Sequence, residues 1–136
     1  MSRIKETSSP LIFDPSDKPK GMLRILLAFK NSGNALSWLI KNEAAFRQEI
    51  ALLLFAIIAL CCWQISLIEK ALLLSSILFV IFAEIINTAI EATVDRMSTE
   101  IHPLSGLAKD LGSAGVLVSM GIASVLWLAV LFKSIT

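Results

Sequence analysis

Residues 84–97 read Glu84-Ile-Ile-Asn-Thr-Ala-Ile-Glu-Ala-Thr-Val-Asp-Arg-Met97 and close an apolar segment long enough to cross a bilayer. A helix turns about 100° per residue, so spacings of three, four and four put Glu84, Asn87, Glu91 and Asp95 on one narrow stripe. One face of this helix is apolar and the other acidic. An Asp at the centre of a membrane helix costs about 2.5–3.5 kcal/mol on insertion, and part of that cost persists near the interface. Intramembrane carboxylates usually face a bundle interior or a water-filled cavity, where they bind ions, relay protons or contact substrate. A structural polar seam between packed helices explains one or two such residues.

The rest of the chain supports a membrane setting. Of its 136 residues 56% are hydrophobic, and the mean hydropathy is +0.78, more than a soluble surface tolerates. This length allows one domain. Three segments are apolar enough to span, about 50–68, 71–92 and 111–132, since ~20 residues at 1.5 Å each cross the ~30 Å hydrocarbon layer. The first starts too late for a signal peptide and has no evident cleavage site, so it is read as retained. Ten of the twelve Lys and Arg fall before the first span or between the second and third, leaving Lys70 and Lys133 on the other side. The positive-inside rule then places the N-terminus and the acidic end of the second span in the cytoplasm. The net charge of +1 gives no reason to expect a nucleic-acid partner.

Residues 1–20 hold three of the four prolines and no sustained periodicity, and read as a flexible tail. From about 22 to 47 apolar and basic residues alternate as in an amphipathic helix lying on a membrane surface, with Gly33 weakening its middle. It ends in Asn42-Glu43-Ala44-Ala45-Phe46-Arg47-Gln48-Glu49, where two carboxylates are an unusual choice beside anionic headgroups. Glu43 is expected to reach the same layer as Glu91. Cys61 and Cys62 are adjacent, poorly placed for a disulfide, and read as apolar packing residues. Trp63 and Trp127 are expected near the outer boundary.

A second helix beginning near Ala71 puts Glu84 ~10 Å beneath the inner surface, with Glu91 and Asp95 successively shallower. That gradient runs from a desolvated carboxylate suited to a general base to a wetter one suited to a divalent cation. The loop read over about 96–110 is punctuated by Pro103 and Gly106, and its His102 is the only histidine, so no zinc site can be assembled. In the third span Gly115, Ser119 and Ala123, with Gly112 before them, offer a small-residue packing face. There is no G-x-x-x-x-G-K-[ST], kinase glycine loop or G-x-S-x-G elbow, so any phosphoryl transfer must use side chains and metal.

Three motifs, NEAAFRQE at 42–49, EIINTAIEATVDR at 84–96 and HPLSGLAKDLGSA at 102–114, resemble in order the small integral-membrane diacylglycerol kinases of Gram-negative bacteria. The resemblance covers about 22–134. It implies an all-α homotrimer in the bacterial inner membrane, with three spans and an N-terminal surface helix per chain, over a membrane domain of 21–136. It implies transfer of the ATP γ-phosphate to the primary hydroxyl of diacylglycerol with Mg²⁺. By position, Glu84 resembles the family's proton acceptor, and Glu43 and Glu91 its metal ligands. Arg24, Asn31, Glu100, Ile101, His102, Lys109 and Asp110 lie where nucleotide is bound. Asn87, Asp95, Ser113 and the stretch Ala44, Ala45, Phe46, Arg47 and Gln48 match supporting or lipid-contacting positions. The chain departs from the pattern at Asn31, where Tyr is common, and at Leu27, Gly33 and Asn34, where Lys, Trp and Lys are common.

The related undecaprenol kinases of Gram-positive bacteria share a similar core and form the enzymatic alternative. A small acidic-helix cation channel or a membrane scaffold is the non-enzymatic one. Against the channel stands the loop with Glu100, His102, Lys109 and Asp110, which a simple pore does not require, and a scaffold has no need of so many membrane-buried acids.

Overall fold

The computed structural model describes residues 21–97 and 102–136, all helix and short connections: α1 (Met22–Asn42), α2 (Ala44–Cys62), α3 (Leu67–Met97) and α4 (Pro103–Ile135). The expected tail over 1–20, and Glu100 and Ile101, lie outside the described residues. The chain forms two units, one ending at Trp38 and one running from Leu39 to Thr136.

In the first unit Gly21 precedes the helix with φ 65°, a left-handed conformation that favours glycine, and its carbonyl accepts from Arg24 N–H at 3.2 Å. Gly33 does not interrupt the helix. The helix of this unit is exposed throughout, apolar Leu23, Leu26 and Phe29 as well as charged Arg24 and Lys30.

In the second unit α3 is central. It packs against α4 along one side and α2 along another, while the backbones of α2 and α4 do not approach each other among the described residues. Its buried residues Leu73, Ser76, Ile77, Val80, Ile81, Glu84, Asn87 and Thr88 recur every three or four positions, so the acidic stripe continues the core face of the helix. Leu39, Phe46, Ala56, Ile77 and Ile81 form the core cluster, with Trp127 and others packed on it. Buried Ser76 and Ser119 each donate a 2.7 Å hydrogen bond to a carbonyl three residues back, Leu73 and Val116, so neither hydroxyl is left unpaired between the helices.

The helix ends explain where the structure departs from the sequence reading. The run read as a span over 50–68 stops at Cys62, with Trp63 extended. Ser66 then opens α3 with a capping box: its amide and hydroxyl donate to Glu69 Oε2 at 2.8 and 2.7 Å, and Glu69 N–H donates back to Ser66 Oγ at 3.3 Å. This starts α3 at Leu67 and not near Ala71. The loop expected over 96–110 is shorter too, because Pro103 occupies the first turn of α4, where a missing N–H costs nothing, and His102 Nδ1 accepts from Leu104 N–H at 3.2 Å. At the α1–α2 joint Glu43 is non-helical, and Arg47 Nη1 donates to the Ile40 and Lys41 carbonyls at 3.3 and 3.4 Å. Those carbonyls belong to the last turn of α1, which has no helical partner for them.

Three helices, α2, α3 and α4, are long and apolar enough to cross a membrane. The outer face of α4 is largely apolar and uncovered in the single chain, with Leu117, Val118 and Val125 all more than 60% exposed. Cys61 and Cys62 are likewise exposed, a correction to their reading as packing residues: both fall on the side of α2 away from Ala56 and Leu60. Trp63 and Trp127 share one level, their ring centroids 6.4 Å apart at 40°.

Candidate functional site

At 1.5 Å per residue the 31 residues of α3 and 33 of α4 reach ~46 and ~50 Å, well beyond a ~30 Å hydrocarbon layer. The C-terminal turns of α3 and the N-terminal turns of α4 carry the polar surplus, and they lie together. Lys109 Nζ meets Asp95 Oδ1 at 2.5 Å.

Along α3 burial falls as the stripe runs outward. Glu84 and Asn87 are buried, Glu91 is half-buried and Asp95 is exposed. Asn87 Nδ2 donates to Glu91 Oε1 at 3.3 Å, while its Oδ1 is buried without a hydrogen-bond partner. A carboxylate only accepts, so this bond fixes which side of the amide faces Glu91.

Two further carboxylates approach from the α2 side. Glu43, at the cap position, makes no side-chain capping bond, and both Glu43 and Glu91 lie within electrostatic reach of Glu84. Glu49 is likewise within reach of Glu84, and its Oε2 is buried with no partner. Glu49 closes one end of a cavity of about 370 Å³ whose walls include Phe55 of α2, Val80 of α3 and Met120 and Trp127 of α4. The cavity exists because α2 and α4 flank α3 without closing on each other.

The residues singled out in the sequence separate accordingly. Glu43, Glu84, Asn87 and Glu91 are brought together, and Asp95 with Lys109. His102 uses Nδ1 to cap α4, and Arg47 caps α1. Phe46 is 1% exposed and belongs to the core, whereas Ala44, Ala45, Gln48, Asp110 and Ser113 are exposed. Arg24 and Asn31 are exposed on the first unit. Sequence reasoning overlooked Glu49 as a group facing Glu84, although its place as the last charge before thirteen apolar residues of α2 was a usable signal. It also overlooked the Ser66–Glu69 box, whose S-x-x-E spacing is readable.

Among the described residues no group of three or more His, Cys, Asp or Glu is gathered tightly enough to hold a metal ion alone. Mg²⁺ asks for less, commonly one or two carboxylates with phosphate oxygens and water. Glu91 with Oε1 taken by Asn87 and Glu43 with no capping bond fit that requirement.

Comparison with known proteins agrees with this architecture. Residues 30–131 match the family described as prokaryotic diacylglycerol kinase. The chain is 44% identical over 115 residues to a diacylglycerol kinase of Escherichia coli K12, covering 83% of this chain and 93% of the relative. It is 39% identical to that of Haemophilus influenzae, with 85% and 98% covered, and 40% identical to that of Pseudomonas aeruginosa, with 82% and 90% covered. With three quarters of its length matched and relatives of this identity, the chain belongs to the prokaryotic diacylglycerol kinase family.

Proposed function

We propose that this chain transfers the γ-phosphate of ATP to the primary hydroxyl of diacylglycerol, giving phosphatidic acid, with Glu84 as proton acceptor and Glu43 and Glu91 holding Mg²⁺. The observation that carries this reading is a buried carboxylate, Glu84, flanked by two acidic groups at the polar end of a helix long enough to span. Family membership makes the chemistry that of a lipid kinase with a nucleotide co-substrate.

In the proposed reaction the lipid hydroxyl oxygen forms a bond to the γ-phosphorus. The bond from that phosphorus to the β,γ-bridging oxygen breaks, its electron pair leaves with ADP, and the hydroxyl proton passes to Glu84. Burial of Glu84 suits it to accept a proton from a lipid hydroxyl that reaches below the headgroups. Asn87 orients Glu91. Lys109, released from Asp95 or shared with it, offers the nucleotide phosphates a cation, and Asp110 and His102 lie on the same turns. What Mg²⁺ supplies when bound is neutralisation of charge on the β- and γ-phosphate oxygens.

The same reading places the protein in the bacterial inner membrane as a homotrimer, with the N-terminus and site cytoplasmic. Its support is the Lys and Arg distribution and the uncovered apolar face of α4, which a lipid or a second chain would cover. The test is transfer of labelled γ-phosphate from ATP to diacylglycerol in mixed micelles, with and without Mg²⁺, beside undecaprenol and beside the Glu91→Gln variant. Metal-dependent phosphatidic acid that disappears in Glu91→Gln is the expected result. Preference for undecaprenol, or full turnover by the variant, would overturn the substrate or the ligand assignment respectively.

A further inference from the structure

Of the six glycines, Gly112 alone faces a neighbour: a Cβ built on any of the other five would meet nothing within 4 Å. At Gly112 that carbon would overlap Asn87 Oδ1 and come within 3.5 Å of Asn87 Cγ and of Ile90 Cδ1. This is the oxygen that is buried without a hydrogen-bond partner, on the residue whose Nδ2 holds Glu91 at 3.3 Å. The two ends of one amide are therefore set by two different helices. We infer that Gly112 is a positioning residue for Glu91, acting through Asn87.

The geometry leaves Asn87 little choice. The residue is only 9% exposed. Turning the amide over would put Oδ1 against the Glu91 carboxylate, acceptor against acceptor. Rotating it away from a methyl at position 112 would withdraw Nδ2 from Glu91. A side chain on α4 thus reaches the acidic group without touching it, and the effect of one added carbon passes along the amide. Partners that orient metal ligands typically contribute roughly 10- to 100-fold in metal affinity, and that is the size of loss expected from Gly112→Ala.

The inference rests on Glu91 being a metal ligand, as proposed above, so the experiment separates the two. Mn²⁺ binding to the full-length protein in micelles, with a non-hydrolysable ATP analogue, is read by electron paramagnetic resonance for wild type, Gly112→Ala, Asn87→Ala, the double variant and Glu91→Gln. Gly112→Ala is expected to weaken Mn²⁺ binding by roughly 10- to 100-fold. In the Asn87→Ala background the same change is expected to shift it by less than about twofold, because the truncated side chain leaves no amide to displace. Equal losses in both backgrounds, or no loss in folded Gly112→Ala, would overturn the inference while leaving the ligand role of Glu91 intact. Wild-type affinity in Glu91→Gln would overturn that role itself. Should Gly112→Ala fail to fold, the double variant, which has room for the methyl, is expected to regain helicity and to bind Mn²⁺ as Asn87→Ala does. Its failure to regain helicity would show that Asn87 is not the group Gly112 accommodates.

Discussion

Lys133 in the last turn of α4 reaches back 64 positions to Glu69 in the first turn of α3, Nζ to Oε1 at 2.7 Å, while the other oxygen of that carboxylate closes the capping box on Ser66. One carboxylate thus starts one helix and fastens the end of another. Its two functions differ in weight. Lys133 is 75% exposed, and exposed ion pairs contribute little, whereas a lost N-cap removes about 0.5–2 kcal/mol. Hydrogen exchange should separate them: Ser66→Ala should accelerate exchange of the Glu69 and Lys70 amides, which bond to Ser66, about tenfold, and Lys133→Met should leave those rates and lipid phosphorylation nearly unchanged. Acceleration in Lys133→Met but not in Ser66→Ala would assign the anchoring to the ion pair.

Glu84→Gln keeps the shape of the buried side chain and removes its ability to take a proton. General-base loss of this kind lowers turnover by about 10²–10⁴-fold, and the ATP KM should move far less. A folded Glu84→Gln protein with wild-type kcat would take Glu84 out of the proposed reaction.

Phe46 lies in the motif shared with the family, yet its ring is 1% exposed in the core with Leu39, Ala56, Ile77 and Ile81. Phe46→Ala should therefore act on the fold, costing about 3–5 kcal/mol in denaturant unfolding, and the surviving folded fraction should keep its lipid KM. A raised lipid KM at unchanged stability would mean that the ring touches substrate.

Glu49 carries a buried, unpartnered oxygen at one end of the cavity. Leaving such a group unsatisfied costs about 1–3 kcal/mol, so Glu49→Leu should raise the unfolding midpoint in micelles. The informative pairing is stability with activity: a more stable variant with lost turnover would show that the carboxylate is retained for the reaction, and a less stable one would show that it has a structural partner.

Much of this was legible because one helix carries both messages. The three- and four-residue recurrence from Leu73 to Thr88 marks the core face of α3, and Glu84, Asn87 and Glu91 extend it in the same register. The apolar lengths likewise point to three spans. Boundaries were less readable, since only Gln64 and Ser66 interrupt the apolar run through Trp63–Ile68 and the Ser66–Glu69 box decides where α3 starts. Contacts between helices were only partly readable. Gly115 was read as part of the small-residue face with Ser119 and Ala123, yet the inward register of α4 is Gly112, Val116, Ser119 and Ala123, with Gly115 exposed. Periodicity of small residues allows several registers, and the bulk of Asn87 on the opposing helix selects among them.

The unequal helices carry a last consequence. With 19 residues α2 measures ~28 Å, barely the thickness of the hydrocarbon layer, while α3 with 31 residues and α4 with 33 are longer by at least a dozen. Two long members can slide or tilt in a thicker or thinner bilayer at modest cost, but the short one has no reserve and must thin the lipid around it or draw its polar first turn inward. At that first turn Glu43 stands within electrostatic reach of Glu84. A bilayer that displaced the first turn of α2 would therefore also change the spacing between Glu43 and Glu84.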